Sequence, residues 1–117
     1  MLKKFELRGI HMEIDDKLRA HAEKKIGSLD RYIARHNQDS AHMEVHLKET
    51  GKKGNDQCRC EVTLHLPHQT IVVKENAVNL YAAVDIVEAK LKLDLQKYKD
   101  THGNGKTRRH LFARLRH

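Results

Sequence analysis

The stretch Asn79–Asp100, NLYAAVDIVEAKLKLDLQKYKD, constrains this chain more than any other part of it. Leu80, Val84, Val87, Leu91, Leu95 and Tyr98 recur at helical spacing, so one side of a long helix is apolar and must be covered. On a helical wheel Lys90 and Lys97 edge that stripe on one flank, and Lys92 and Lys99 on the other. Such a helix docks on a sheet and turns charge outward. Solvated basic flanks are common, so the lysines alone do not decide a function.

The rest of the chain supplies the sheet. Residues 3 to 8 alternate around Phe5 and Leu7, a first strand that Gly9 is expected to break. Asp15 can cap one helix whose apolar stripe is Leu18, Ala22, Ile26, Leu29 and Ile33, closed by residues 36 to 40. Lys17, Lys24, Arg31 and Arg35 then fall in line along that helix, apart from an acidic line of Asp16, Glu23 and Asp30. From Ala41 the period becomes two, with Met43, Val45 and Leu47 on one face and His42, Glu44, His46 and Lys48 on the other. After a turn-rich loop, residues 50 to 56, the alternation resumes through Cys58, Cys60, Val62, Leu64 and Leu66, opposed by Arg59, Glu61, Thr63 and His65. Pro67-His68 reverses the chain into a fourth strand, Thr70 to Lys74, and the last helix is expected to begin near Asn76.

A helix between the first two strands is a crossover, which makes those strands parallel; the next three form an antiparallel meander. The expected fold is therefore α+β, in the order β-α-β-β-β-α. A four-stranded mixed sheet carries both helices on one face, and the other face is wet. It resembles a double-stranded-RNA-binding domain in shape, an analogy that carries no function. Residues 1–102 make this domain, and residues 103–117 a basic tail expected to be mobile. Gly103-Asn104-Gly105 is expected to stop the last helix.

Charge narrows the partner. The 117 residues carry a net +7, and residues 101 to 117 hold Lys106, Arg108, Arg109, Arg114 and Arg116 without one acid. A nearly neutral body with a basic end points to a polyanion, nucleic acid before membrane. No apolar run approaches a membrane span and no apolar signal region follows Met1, so a cytoplasmic location is expected. Few aromatic residues are present to stack unpaired bases, which favours structured RNA recognised by shape.

Sites of chemistry are sparse, and no enzyme, cofactor, metal or small-molecule substrate is expected. Cys58 and Cys60 share one strand face, where they cannot easily bridge, and two thiols fall short of a zinc set. They read as small core residues. Gly105-Lys106-Thr107 lacks the earlier glycine of a phosphate loop, Asp100 standing in its place. Asp15 and Asp16 suit a helix N-terminus, and Ser28 and Ser40 lie in no nucleophile motif. Of the ten histidines, His42 and His46 would be about 13 Å apart on one strand, too far to share an ion. His42 with a cross-strand partner is the remaining pairing, and scattered surface histidines are the simpler expectation.

Two segments carry a family resemblance. Tyr81-Ala82-Ala83-Val84-Asp85, then Lys90-Leu91, Leu95, Lys97 and Lys99, resemble the last helix of the ribosome hibernation promoting factors and ribosome-associated inhibitors. Gly9, Glu13-Ile14, Leu18-Arg19, Lys25, Leu29 and Tyr32 are similar to that family's entry strand and first helix, and the resemblance spans roughly residues 3 to 100. It implies binding to the small ribosomal subunit and its rRNA near the decoding centre, where tRNA and mRNA are blocked and idle ribosomes parked. The matching basic positions are Arg19, Lys25, Lys90, Lys97 and Lys99. Leu93 stands where the family usually has Arg, and Asn79 where Asp is usual. Long members of the family add a C-terminal dimerising domain, which is not expected within these 117 residues.

The expected rRNA-binding set is therefore Lys17, Arg19, Lys24, Lys25, Arg31, Lys90, Lys92, Lys97, Lys99, Lys106, Arg108 and Arg109. Two other readings are a general double-stranded-RNA binder and a small protein–protein adaptor whose charges only keep it soluble.

Overall fold

Four strands, β1 (Phe5–Ile10), β2 (His42–Glu49), β3 (Cys58–Leu66) and β4 (Gln69–Ala77), form one sheet in sequential order. The computed structural model describes residues 2–51, 57–67 and 69–98 in full and the backbone of residues 99–102. β1 runs parallel to β2, with Phe5 opposite Met43, while β2, β3 and β4 are antiparallel, with Val45 opposite Val62 and Val62 opposite Val73. The alternation in the sequence dictates the faces. Met43, Val45, Leu47, Cys58, Cys60, Val62, Leu64, Ile71 and Val73 are buried on one side, and the polar residues between them stay partly wet on the other.

The buried face is covered by α1 (Asp16–Lys25) and α3 (Leu80–His102), which also pack against each other. Asp15 caps α1, its Oδ1 accepting from the Leu18 amide at 2.7 Å. Leu80, Val84, Val87, Leu91, Leu95 and Tyr98 of α3 are all buried, as their spacing requires. Each such aliphatic side chain stabilises the fold by about 1.5–3 kcal/mol. Cys58 and Cys60 are buried free thiols; burial, with help from the Glu61 charge, pushes Cys60 up to about 12.

Several boundaries differ from expectation. The first helix does not run on to Ile33: α1 ends at Lys25, a 3-10 helix spans Gly27–Tyr32, and a short α2 covers Arg35–Gln38. Gly27 and Ser28 are weak helix formers, and the chain tightens to i→i+3 bonding, the Leu29 amide donating to the Ile26 carbonyl at 3.1 Å. Leu29 and Ile33 stay in the core despite the break. Gln38 holds the far end, its Nε2 donating to the carbonyls of Asp30 and Ile33 at 3.1 and 3.0 Å.

β4 runs on to Ala77 because its ladder with β3 continues to Cys58↔Ala77, and α3 starts only at Leu80. Asn79 is its cap, Oδ1 accepting from the Ala82 amide at 2.8 Å. β2 begins one residue later than expected, at His42. β1, finally, passes through Gly9 and ends at Ile10. A Cβ at position 9 would lie 2.4 Å from the Met12 carbonyl oxygen, where the chain folds back through His11 at φ 56°. Gly9 permits that close approach; it does not end the strand. Gly9→Ala is therefore expected to cost about 1–3 kcal/mol in urea unfolding, as overpacking does. A change within about 0.5 kcal/mol, the range of an ordinary surface substitution, contradicts the steric account.

Candidate nucleic-acid interface

The helical side of the molecule holds most of the expected basic residues, and the break after α1 decides how they meet. Lys17, Arg19 and Lys24 are exposed on α1, with no carboxylate partner among the described residues, and Lys25 is half-buried at its end. Arg31 does not continue their line, since it belongs to the 3-10 segment. That segment sits beside α3, and there Arg31 meets Lys92. Both cations approach the ring of Tyr32, the Arg31 Cζ 5.1 Å and the Lys92 Nζ 5.6 Å from its centroid. Desolvation is the largest single influence on the Tyr32 phenol and pushes its pKa up. The hydrogen bond from Lys92, with the charges of Arg31 and Lys92, outweighs it and holds the phenol below its usual 10.0. Arg35 lines the same shallow depression as Arg31 and Tyr32. Two cations from two elements thus meet on one aromatic ring, and Arg35 adds a third charge to the depression beside it.

α1 also makes a polar contact with α3. His21 Nε2 lies 2.9 Å from Asp85 Oδ1, and the His21 ring meets Tyr81 edge-on at 5.0 Å between centroids. This contact ties together the two helices that carry most of the described cations.

The flanks of α3 separate as the wheel predicts. Lys92 faces the 3-10 segment, whereas Lys90 and Lys97 face β4. Lys90 is already engaged, donating through Nζ to Glu75 on β4. Lys97 has no such partner among the described residues and lines a depression with Val72, Leu93 and Asp94. Leu93 is 58% exposed and Ile86 38%. Neither belongs to the core. Leu93→Arg is expected to change unfolding free energy by no more than about 0.5 kcal/mol. A loss of several kcal/mol in denaturant titration contradicts that placement, since it is the cost of burying a charge. The side chain of Lys99 and all of Lys106, Arg108 and Arg109 lie outside the described residues, as do the positions of two expectations, a helix stop at Gly103-Asn104-Gly105 and a mobile tail over residues 103–117.

The wet sheet face departs from the expected scatter of histidines. His42 and His65 stand opposite each other across β2 and β3, and Glu44 lies beside both. His46 pairs in register with Glu61 instead and joins no such group. Among the described residues no helix is long and apolar enough to cross a membrane.

The parts that sequence reasoning missed are His21 and Glu75. Their partners Asp85 and Lys90 lie on α3, but only the packing of α1 and β4 against that helix brings them together. Nothing local in the sequence announced them.

Fold and surface together define a class: a small α+β domain with one face of a mixed sheet covered by helices that expose an array of cations. Residues 5–102 match the profile of the family described as Sigma 54 modulation protein / S30EA ribosomal protein, and the chain belongs to that family. It is 36% identical over 105 residues to the ribosome hibernation promotion factor of Lactococcus lactis subsp. cremoris and 34% identical to that of Staphylococcus aureus. Both alignments cover 90% of this chain but only 54% and 52% of the relatives, so the chain spans about half their length. Among solved structures it resembles the N-terminal domain of Thermus thermophilus Protein Y (TM-score 0.66, 30% identity), covering 84% of this chain and 99% of that domain. A ribosomal subunit interface protein from Coxiella burnetii is similar too (TM-score 0.65, 25% identity), with 81% and 96% covered.

Proposed function

We propose that this chain is a non-enzymatic, cytoplasmic factor that binds the small ribosomal subunit and its rRNA. It occupies the decoding region through its basic helix faces, silences translation and promotes ribosome hibernation. Family membership and the names of its relatives support the ribosome as the target. The observation that carries the choice of surface is the meeting of Arg31 and Lys92 on Tyr32, on the helical side that also exposes the cations of α1. Two positive groups that share one ring repel each other in the free protein, and a bound phosphate relieves that repulsion. Lys17, Arg19, Lys24 and Lys25 extend the footprint along α1, and Lys97 and Lys99 along α3. Lys106, Arg108 and Arg109 add charge that hastens encounter. Lys90 contributes once it leaves Glu75.

Phosphate contacts supply affinity without reading sequence, so specificity comes from the fit of this rigid array to one rRNA surface. Competition with tRNA tests the reading. Small subunits programmed with mRNA are expected to lose bound tRNA as the protein is added, in proportion to its occupancy. Full tRNA binding on subunits saturated with the protein contradicts a place in the decoding region. Equal affinity for free duplex RNA favours the general double-stranded-RNA binder instead.

A further inference from the structure

The sheet face turned away from the helices carries a cluster that lies outside the proposed ribosome-binding surface. His42 and His65 are directly opposed on β2 and β3, their ring centroids 5.6 Å apart and their planes inclined by 33°. The Glu44 carboxylate divides itself between them, Oε1 at 3.7 Å from His42 Nε2 and Oε2 at 3.9 Å from His65 Nε2. Glu6, opposite Glu44 on β1, brings its Oε1 to 3.9 Å from the same His42 Nε2. Its other oxygen lies 3.5 Å from Arg8.

Two features of this group ask for a cation. Glu6 and Glu44 are like charges facing each other on neighbouring strands, an arrangement that is ordinarily destabilising. With both imidazoles neutral the four side chains carry two negative charges, which Arg8 offsets only at one oxygen of Glu6. The donor set is also that of a metal site rather than of an acidic patch: two imidazole nitrogens and a carboxylate, with ligand atoms all within 4.8 Å of one another. Ligands of a tetrahedral zinc ion at 2.0–2.2 Å lie about 3.4 Å apart. Small rotations of partly exposed side chains close that difference, and the backbone beneath is a hydrogen-bonded ladder that need not move.

We propose that His42, Glu44 and His65, with Glu6 as the fourth ligand, bind one divalent transition-metal ion of the zinc class on the open face of the sheet. Imidazole nitrogens select such an ion over magnesium or calcium, which take oxygen. The ion joins three strands, β1, β2 and β3, and lies on the face opposite Arg31 and Lys92. It therefore stabilises the domain without competing for RNA.

Calorimetric titration of the full chain with zinc chloride tests this, with magnesium chloride as the control. The expected result is one zinc ion per chain, no magnesium binding, and a rise in the thermal midpoint on the order of 10 °C at zinc about a hundredfold above its dissociation constant. His42→Ala, His65→Ala and the near-isosteric Glu44→Gln should each weaken zinc binding by more than the roughly 10–100-fold that a supporting residue costs. All three sit at partly exposed positions, so their metal-free midpoints should stay near that of the parent chain. His46→Ala, on the same face but outside the cluster, should bind as the parent does. Unchanged zinc binding in the His42→Ala/His65→Ala pair would place the ion on other histidines of the chain and overturn the proposal. So would the absence of zinc binding below about millimolar concentration.

Discussion

Replacing Arg31 and Lys92 together by glutamine should weaken binding to small ribosomal subunits and flatten its dependence on salt. Each phosphate contact adds roughly 0.7–0.9 to the slope of log affinity against log salt, so losing two removes about 1.4–1.8 units. Over a fourfold rise in salt the parent chain should therefore lose about tenfold more affinity than the variant. Folding should hardly change, because a cation over an exposed ring is worth only about 0.5–1 kcal/mol. Filter binding at three or four salt concentrations reads the slope, and a thermal melt reads the fold. A parallel slope with unchanged affinity would return Arg31 and Lys92 to the ordinary solvated surface. Tyr32→Leu separates the ring from the charges. It should preserve the slope and lower affinity by a smaller factor, since the ring positions the two cations and contacts no phosphate itself.

The second large effect lies in the core. Leu91 and Leu95 are fully buried on α3, in the core that this helix shares with the sheet. Leu91→Ala or Leu95→Ala should cost about 2–5 kcal/mol, the lost transfer energy plus that of the cavity left behind. For a domain of this size, whose total stability is on the order of 5–15 kcal/mol, either change is severe. Equilibrium unfolding in urea should show a lower midpoint with an unchanged slope. A loss under 1 kcal/mol would mean that α3 is not seated on the sheet as its apolar stripe indicates.

How far the sequence discloses all this depends on where each constraint lives. The α3 stripe is legible because six apolar residues keep one strict period, and no other element satisfies it. The strands are legible for the same reason at period two. The break after α1 is not, because Ile26, Leu29 and Ile33 fit the stripe of an α-helix and also the tighter 3-10 turn that forms. That ambiguity misplaces Arg31 on a straight line with Lys17 and Lys24. Its meeting with Lys92 depends on tertiary packing, which periodicity does not encode. The division of the α3 lysines into flanks is legible, whereas the Lys90–Glu75 pair needs β4 to be in place. His42 and His65 are both assigned to the wet face by alternation alone. Their direct opposition depends on the β2–β3 register, which the intervening loop leaves open in the sequence.

The central claim is that a rigid cationic array on the helical side recognises the small ribosomal subunit. Co-sedimentation with purified subunits at low and high salt, with free duplex RNA as competitor, tests it most directly. The account predicts stoichiometric pelleting at low salt, a steep loss at high salt, and little displacement by a moderate excess of duplex. Pelleting that duplex RNA abolishes would make the chain a general RNA binder. Salt-insensitive association, or none at all, would contradict the account and leave the adaptor with a merely soluble surface.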